Sequence, residues 1–180
     1  MTDNKMRTEI LNIDKGQCLT DVLPAIPANT IFDKTITGCG ATHSEIVNAA
    51  RHSIIIEPNI PVILGKKAEH PFLFAVYEGI TKEDVKAYLA GEHDGYRKII
   101  TTPEGFDKKV LPAMHELEIP VYKDYFLLFD ECEKAIQDVG YRGDIYLPVE
   151  DFFKFENKAM VSATPIVPSD PRFEVQGFEM

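Results

Sequence analysis

"TIFDKTITGCGATHSEIVNAARH", residues 30–52, reads in order as a short apolar strand, a turn punctuated by glycines, and a helix. The strand is expected over 30–33 and the helix over 42–52. Gly38 and Gly40 accept backbone conformations that other residues resist, and they let a ligand come close to the main chain. The first N–H groups of the helix have no partner within it, and the helix dipole adds partial positive charge there. Phosphate is the natural occupant of such a turn. Thr42 adds a hydroxyl that suits a magnesium ion.

The same alternation runs outward along the chain. "SIIIEP" (53–58), "FLFAVYEG" (72–79), "RKIITTP" (97–103), "YFLLFDE" (125–131) and "KAMVSATP" (158–165) read as further strands. Between them, a helix opens at Thr81 with Asp84 as its capping-box partner. Thr102 caps another, with Pro103 at its first position, over "EGFDKKVLPAMHEL". Pro112 inside that segment is expected to bend or break it. The fold class that follows is α/β, a three-layer sandwich around a mostly parallel sheet. Residues 30–166 form the expected domain and 1–29 an N-terminal extension. Pro168, Pro171 and Gly177 mark 167–180 as an irregular tail or linker.

Composition narrows the partners. With 180 residues and 44% hydrophobic content, the chain can bury one good core. Its 29 acidic and 19 basic residues leave a net charge of −10, which disfavours binding a polyanion by bulk attraction. Only "LGKKAEH" (64–70) and "DKKV" (107–110) gather lysines, and solvated surface explains both. No stretch approaches the roughly 18 apolar residues of a membrane helix, and the N-terminus lacks the apolar core of a signal peptide, so a cytoplasmic protein is expected. Cys18, Cys39 and Cys132 form no C-x-x-C pair, and His43, His52, His70, His93 and His115 lack ligand spacing.

Ligands of parallel sheets collect beyond the carboxyl ends of the strands. The glycine turn is one such place. Asp130 and Glu131 form a second: an acidic pair at a strand end can hold a magnesium ion through water and orient an attacking water molecule. Ser162, Ala163 and Thr164 form a third, small residues able to couple a neighbouring strand end to the site.

Taken in order, these segments resemble the first RecA-like domain of superfamily two helicases, P-loop nucleotide hydrolases that move on DNA or RNA. The family's phosphate loop runs Ala-x-Thr-Gly-x-Gly-Lys-Thr; in "TITGCGAT" the residues Thr37, Gly38, Gly40 and Thr42 match, and Ala41 replaces the lysine. "HSIIIEPNIPVILGKK" (52–67) is similar to the motif that touches the nucleic-acid backbone, and "KIITTPEGF" (98–106) to the strand ending in Thr-Pro, with Thr102 as the phosphate-contacting hydroxyl. "LLFDECEK" (127–134) resembles the Asp-Glu-x-His/Asp box, with Glu133 in the fourth position. "VSATP" (161–165) matches the Ser-Ala-Thr motif that couples hydrolysis to strand movement.

The resemblance implies ATP and magnesium as cofactors, Thr42 and Asp130 at the metal, Glu131 with Asp130 in catalysis, Ser162 and Thr164 in coupling, and DNA or RNA as partner. Loss of the lysine is expected to hurt catalysis more than fold. Lys34, just after the first strand, is the one candidate to bring an amine into the same pocket from the other end of the loop. The family closes ATP between two RecA-like domains, so a second such domain or a partner protein is also implied. Arg142 and Arg172 are candidate arginines in cis, and Gln17 a candidate adenine reader. The expected function is a helicase-like nucleotide-binding domain, a poor ATPase by itself. The alternatives are a non-hydrolysing binding or scaffolding module and a different metal-dependent α/β enzyme.

Overall fold

A computed structural model describes residues 7–34, 38–133, 147–164 and 170–180. Thr37 and Arg142 lie outside the described residues. The order of elements is α1 (Leu19–Val22), β1 (Thr30–Asp33), α2 (Ala41–Val47), β2 (His52–Ile56), α3 (Ile60–Glu69), β3 (Phe74–Val76), α4 (Lys82–Ala90) and β4 (Lys98–Thr101). There follow α5 (Pro103–Gly105), a π-helical stretch (Phe106–Val110), α6 (Leu111–Glu116), α7 (Val121–Asp124), β5 (Tyr125–Phe129), α8 (Leu147–Lys154), β6 (Asn157–Ser162) and α9 (Pro171–Val175).

The six strands form one sheet in the order β1-β6-β5-β2-β4-β3, and every pair is parallel. Parallel strands between two helical layers are wetted on neither face, which explains why their sequences are apolar runs rather than alternations. All five residues of β5 are buried. Ile54, Ile56, Leu127, Phe129 and Met160 point to one side, where they meet α4 to α8 through Val85, Phe106, Met114 and Phe152. Ile55, Ile100, Leu128 and Val161 point to the other, against Leu19, Ala41, Ile46 and Ile63 of α1, α2 and α3. The three-layer α/β sandwich expected from the sequence is therefore the fold. Among the described residues no helix is long and apolar enough to cross a membrane.

The register sets the strand ends level. Phe129 lies beside Ile56 and Met160, Ile56 beside Thr101, and Asp33 beside Ser162. The residues that follow thus share one rim.

Three local expectations change. Pro112 does not break its helix. The backbone runs on from Pro103 to Glu116, and the turn before the proline widens to a π-helix. A wider turn moves the carbonyl that the proline ring would strike. The helix after the glycine turn ends at Val47 rather than near 52, because Asn48 turns extended and His52 already belongs to β2. Residues 170–180 are not an irregular linker: Asp170 caps α9, Phe173 and Phe178 are buried in the core, and Glu179 bridges to Thr30. Two prolines and a glycine hid two aromatic anchors whose partners, Phe152 and Phe153, are distant in sequence.

Candidate functional site

Parallel strands end where their backbone carbonyls lose ladder partners, and the side chains just beyond are free to converge. Here β1, β5 and β2 deliver Lys34, Asp130 and Glu57 to the rim beside the start of α2. The Lys34 backbone N–H still donates to Ser162 O at 2.8 Å and that of Asp130 to Ile56 O at 2.9 Å, so both are held by the sheet itself.

Asp130 is the hub. Its side chain is 4% exposed and faces the Lys34 amine, 11% exposed, at 2.9 Å between Nζ and Oδ1. The Glu131 backbone N–H also donates to Oδ1, at 2.9 Å, and the Thr42 hydroxyl donates a short hydrogen bond to Oδ2. Burial pulls the Lys34 pKa down, but the charge and hydrogen bond of Asp130, helped by Cys39 and Glu131, outweigh it and leave the amine above its ordinary value. Lys34 is therefore a part-buried cation paired with the Asp130 carboxylate.

Glu131 takes a left-handed backbone conformation, φ 47°, which costs a non-glycine residue energy. Asn59 joins it to a third carboxyl group. The Asn59 amide donates to Glu131 Oε2 at 2.7 Å and to Glu57 Oε1 at 3.0 Å, while its backbone N–H donates to Glu57 at 2.8 Å. Glu57 is 1% exposed. Burial pushes its pKa up to about 7, partly countered by the Asn59 hydrogen bonds and reinforced by the charges of Asp130 and Glu131. The sequence reading overlooked Glu57 and Asn59. The signal was present: Glu57 follows the run "SIII" as Asp130 follows "YFLLF".

Gly40 precedes α2 with φ 88° and Gly38 has φ 82°, so both use the left-handed freedom expected of the turn. Ala41 is 3% exposed and packed in the cluster of Leu19, Ile26 and Ile46. The Leu19 N–H donates to Cys39 O at 3.0 Å, which seats α1 on the turn. The far side of α2 is pinned as firmly. Glu45, fully buried, accepts from Arg51 at 2.6 and 3.1 Å and from Ser53, whose own hydroxyl accepts from Lys98 at 2.8 Å. The Arg51 guanidinium lies 3.4 Å over the Phe126 ring.

Ser162 is buried at the end of β6, and its hydroxyl exchanges hydrogen bonds with the Thr164 backbone. Thr102 caps α5 by accepting from the Gly105 N–H at 3.0 Å. Glu133 is 8% exposed, and its Oε2 has no hydrogen-bond partner. Arg172 is taken up by Asp170 and Glu150, on the tail helix rather than at this rim. The lysine clusters are engaged locally: Lys66 pairs with Glu69, Lys108 with Glu104, and Lys67 and Lys109 donate to backbone carbonyls. Gln17 is exposed and accepts from the Asp14 N–H.

Oxygen donors dominate the rim, which suits a hard cation such as magnesium. Among the described residues no three acidic, histidine or cysteine side chains are arranged to hold a metal ion unaided. Magnesium commonly takes one or two carboxylates and leaves its other positions to water and phosphate, so Thr42 and Asp130 fit that mode.

The molecule is thus a parallel α/β protein with a carboxylate, hydroxyl and amine cluster where three strand ends meet a glycine turn. Among solved structures it is similar to the Hef helicase domain of Pyrococcus furiosus, at 14% identity and a TM-score of 0.49, over 88% of this chain and 37% of that one. The chain spans little more than a third of that structure's length. Neither a family profile nor a curated protein matches the sequence.

Proposed function

We propose that the chain is a helicase-like nucleotide-binding domain. It takes ATP with magnesium at the carboxyl rim and acts on DNA or RNA once completed by a second RecA-like domain or a partner protein. The observation that carries this reading is the buried hydrogen bond from the Thr42 hydroxyl to Asp130, formed between the first turn of α2 and the end of β5. A hydroxyl and a carboxylate brought together from 88 residues apart, directly after a glycine turn, are the two protein groups that a phosphate-bound magnesium ion needs. Their motifs follow in the order set out above for the helicase domain.

In this reading Gly38, Gly40 and the neighbouring amides face the phosphates, and Thr42 and Asp130 hold the metal, which when bound neutralises charge on the transferred phosphoryl group. Glu131 orients the attacking water, held in place by Asn59. Ser162 and Thr164 report the state of the rim to β6, and Thr102 offers a hydroxyl to a nucleic-acid phosphate. Without a facing domain, hydrolysis by this chain is slow.

Calorimetric titration with a non-hydrolysable ATP analogue, with and without magnesium, tests the proposal. Magnesium-dependent binding that disappears in Asp130→Ala is the expected result. Absence of binding at millimolar nucleotide overturns it and favours the second reading, a non-hydrolysing binding or scaffolding module, for which the buried Ala41 speaks.

A further inference from the structure

Position 41 has no room for the cation that a phosphate loop ordinarily carries. Ala41 points into an apolar cluster with Leu19, Ile26 and Ile46, and the hydrogen bond from Leu19 to Cys39 holds α1 over the turn. A lysine there would have to bury its amine among aliphatic side chains or lift α1 away, and burying an unpaired ammonium is costly. The alanine is thus part of the packing.

A cation is nevertheless present, on the opposite side of the turn. Lys34 leaves the end of β1 with its backbone still bonded to β6, so the side chain springs from a rigid base. Its amine shares Asp130 with the Thr42 hydroxyl. Thr42 stands two residues after Gly40, in the first turn of α2, which places the amine beside the glycine turn.

We propose that Lys34, delivered from the end of β1, is the cation that contacts the phosphates in this chain, and that Asp130 holds it in reserve until nucleotide and a divalent cation arrive together. The inference rests on the nucleotide-binding reading above. Asp130 already accepts three donors, Lys34, Thr42 and the Glu131 amide. When its carboxylate turns to a divalent cation, the Lys34 amine, on a side chain only 11% exposed, loses its ion-pair partner. An unpaired buried charge demands another partner, and phosphate at the adjacent turn supplies it. Magnesium and nucleotide therefore bind cooperatively, each removing one half of the resting ion pair.

An acyl-phosphate derivative of ATP tests this on the unaltered chain. A lysine amine within reach of the terminal phosphate attacks the acyl carbonyl, forms an amide and releases ATP, and peptide mapping locates the labelled residue. Lys34 is the expected site, with labelling suppressed by excess Mg–ATP. Labelling at any other lysine, or none at all while the analogue binds, overturns the inference. As an independent measurement, Lys34→Met, checked for native circular dichroism, is expected to bind the Mg–nucleotide roughly ten- to a hundredfold more weakly, the scale of a lost charge-assisted hydrogen bond. Lys34→Arg is expected to bind within about tenfold of the native chain. Ala41→Lys added to Lys34→Met is expected not to restore binding, and full restoration defeats the inference. If the native chain binds no nucleotide under any condition, the functional reading itself has failed; if it binds and folded Lys34→Met binds equally, only the role of Lys34 has failed.

Discussion

One carboxyl group at the rim makes a contribution to stability that depends on pH. Glu57 titrates near 7 in the folded chain against about 4.5 when unfolded. Between these values the folded state holds a proton that the unfolded state has released, so this contribution to stability is complete below about pH 4.5 and is lost as the pH rises to about 7. The shift corresponds to about 3 kcal/mol at most. In denaturant titrations free of divalent cations, stability should fall across that window, and Glu57→Gln, which keeps the oxygen that Asn59 binds, should remove most of the slope. An equal slope in the variant would place the titration elsewhere. Sequence exposed this rim only in part. Asp130, Glu131 and Thr42 were legible because each sits at a pattern boundary, a strand end or a turn. Asn59 was not, since its role as a bridge between two carboxyl groups depends on β2 and β5 being neighbours.

At the scale of single elements, α2 is a short helix fixed at both ends. Thr42 ties its first turn to β5, and Glu45, one turn later, ties it to Arg51 and Ser53. Glu45→Ala leaves Arg51 and Lys98 near one another without their carboxylate, and removal of one partner from a buried pair costs about 3–5 kcal/mol. Chemical denaturation of Glu45→Ala should show a loss of that order, with Glu45→Gln milder because its amide oxygen still accepts a hydrogen bond. The strands were readable as apolar runs and the caps at Thr81 and Thr102 as local signatures, and both capping hydrogen bonds form. The π-helical stretch was not readable. It is a compromise between Pro112 and the packing of Phe106 and Val110 in the core, and only the packed helix shows which yields.

For the whole molecule, the sheet order could not be taken from local patterns. Runs of isoleucine and phenylalanine say that a strand is buried on both faces, and nothing in them says which neighbour it has. The tail shows the same limit. Phe178 is 3% exposed and meets Phe152, Phe153 and Phe173 across the foot of the sandwich. Phe178→Ala should cost about 3–5 kcal/mol, and thermal unfolding should shift down by roughly 6 °C or more. A shift within about 1 °C would show that the tail is not part of the cooperative unit.

That tail also brings two distant points of the chain together. Met180 donates to Arg7 O at 2.9 Å and accepts from the Glu9 N–H at 2.8 Å, beside the first residue of β1, while the candidate site lies beyond the last residue of the same strand. Residues 7–9 and residue 180 are thus held side by side, on the rim opposite the candidate site. A circular permutant in which residue 180 is joined to residue 7 by a short flexible linker and the chain is opened between Asp94 and Gly95, in an exposed loop, should fold to the same sheet and keep the Lys34–Asp130 pair.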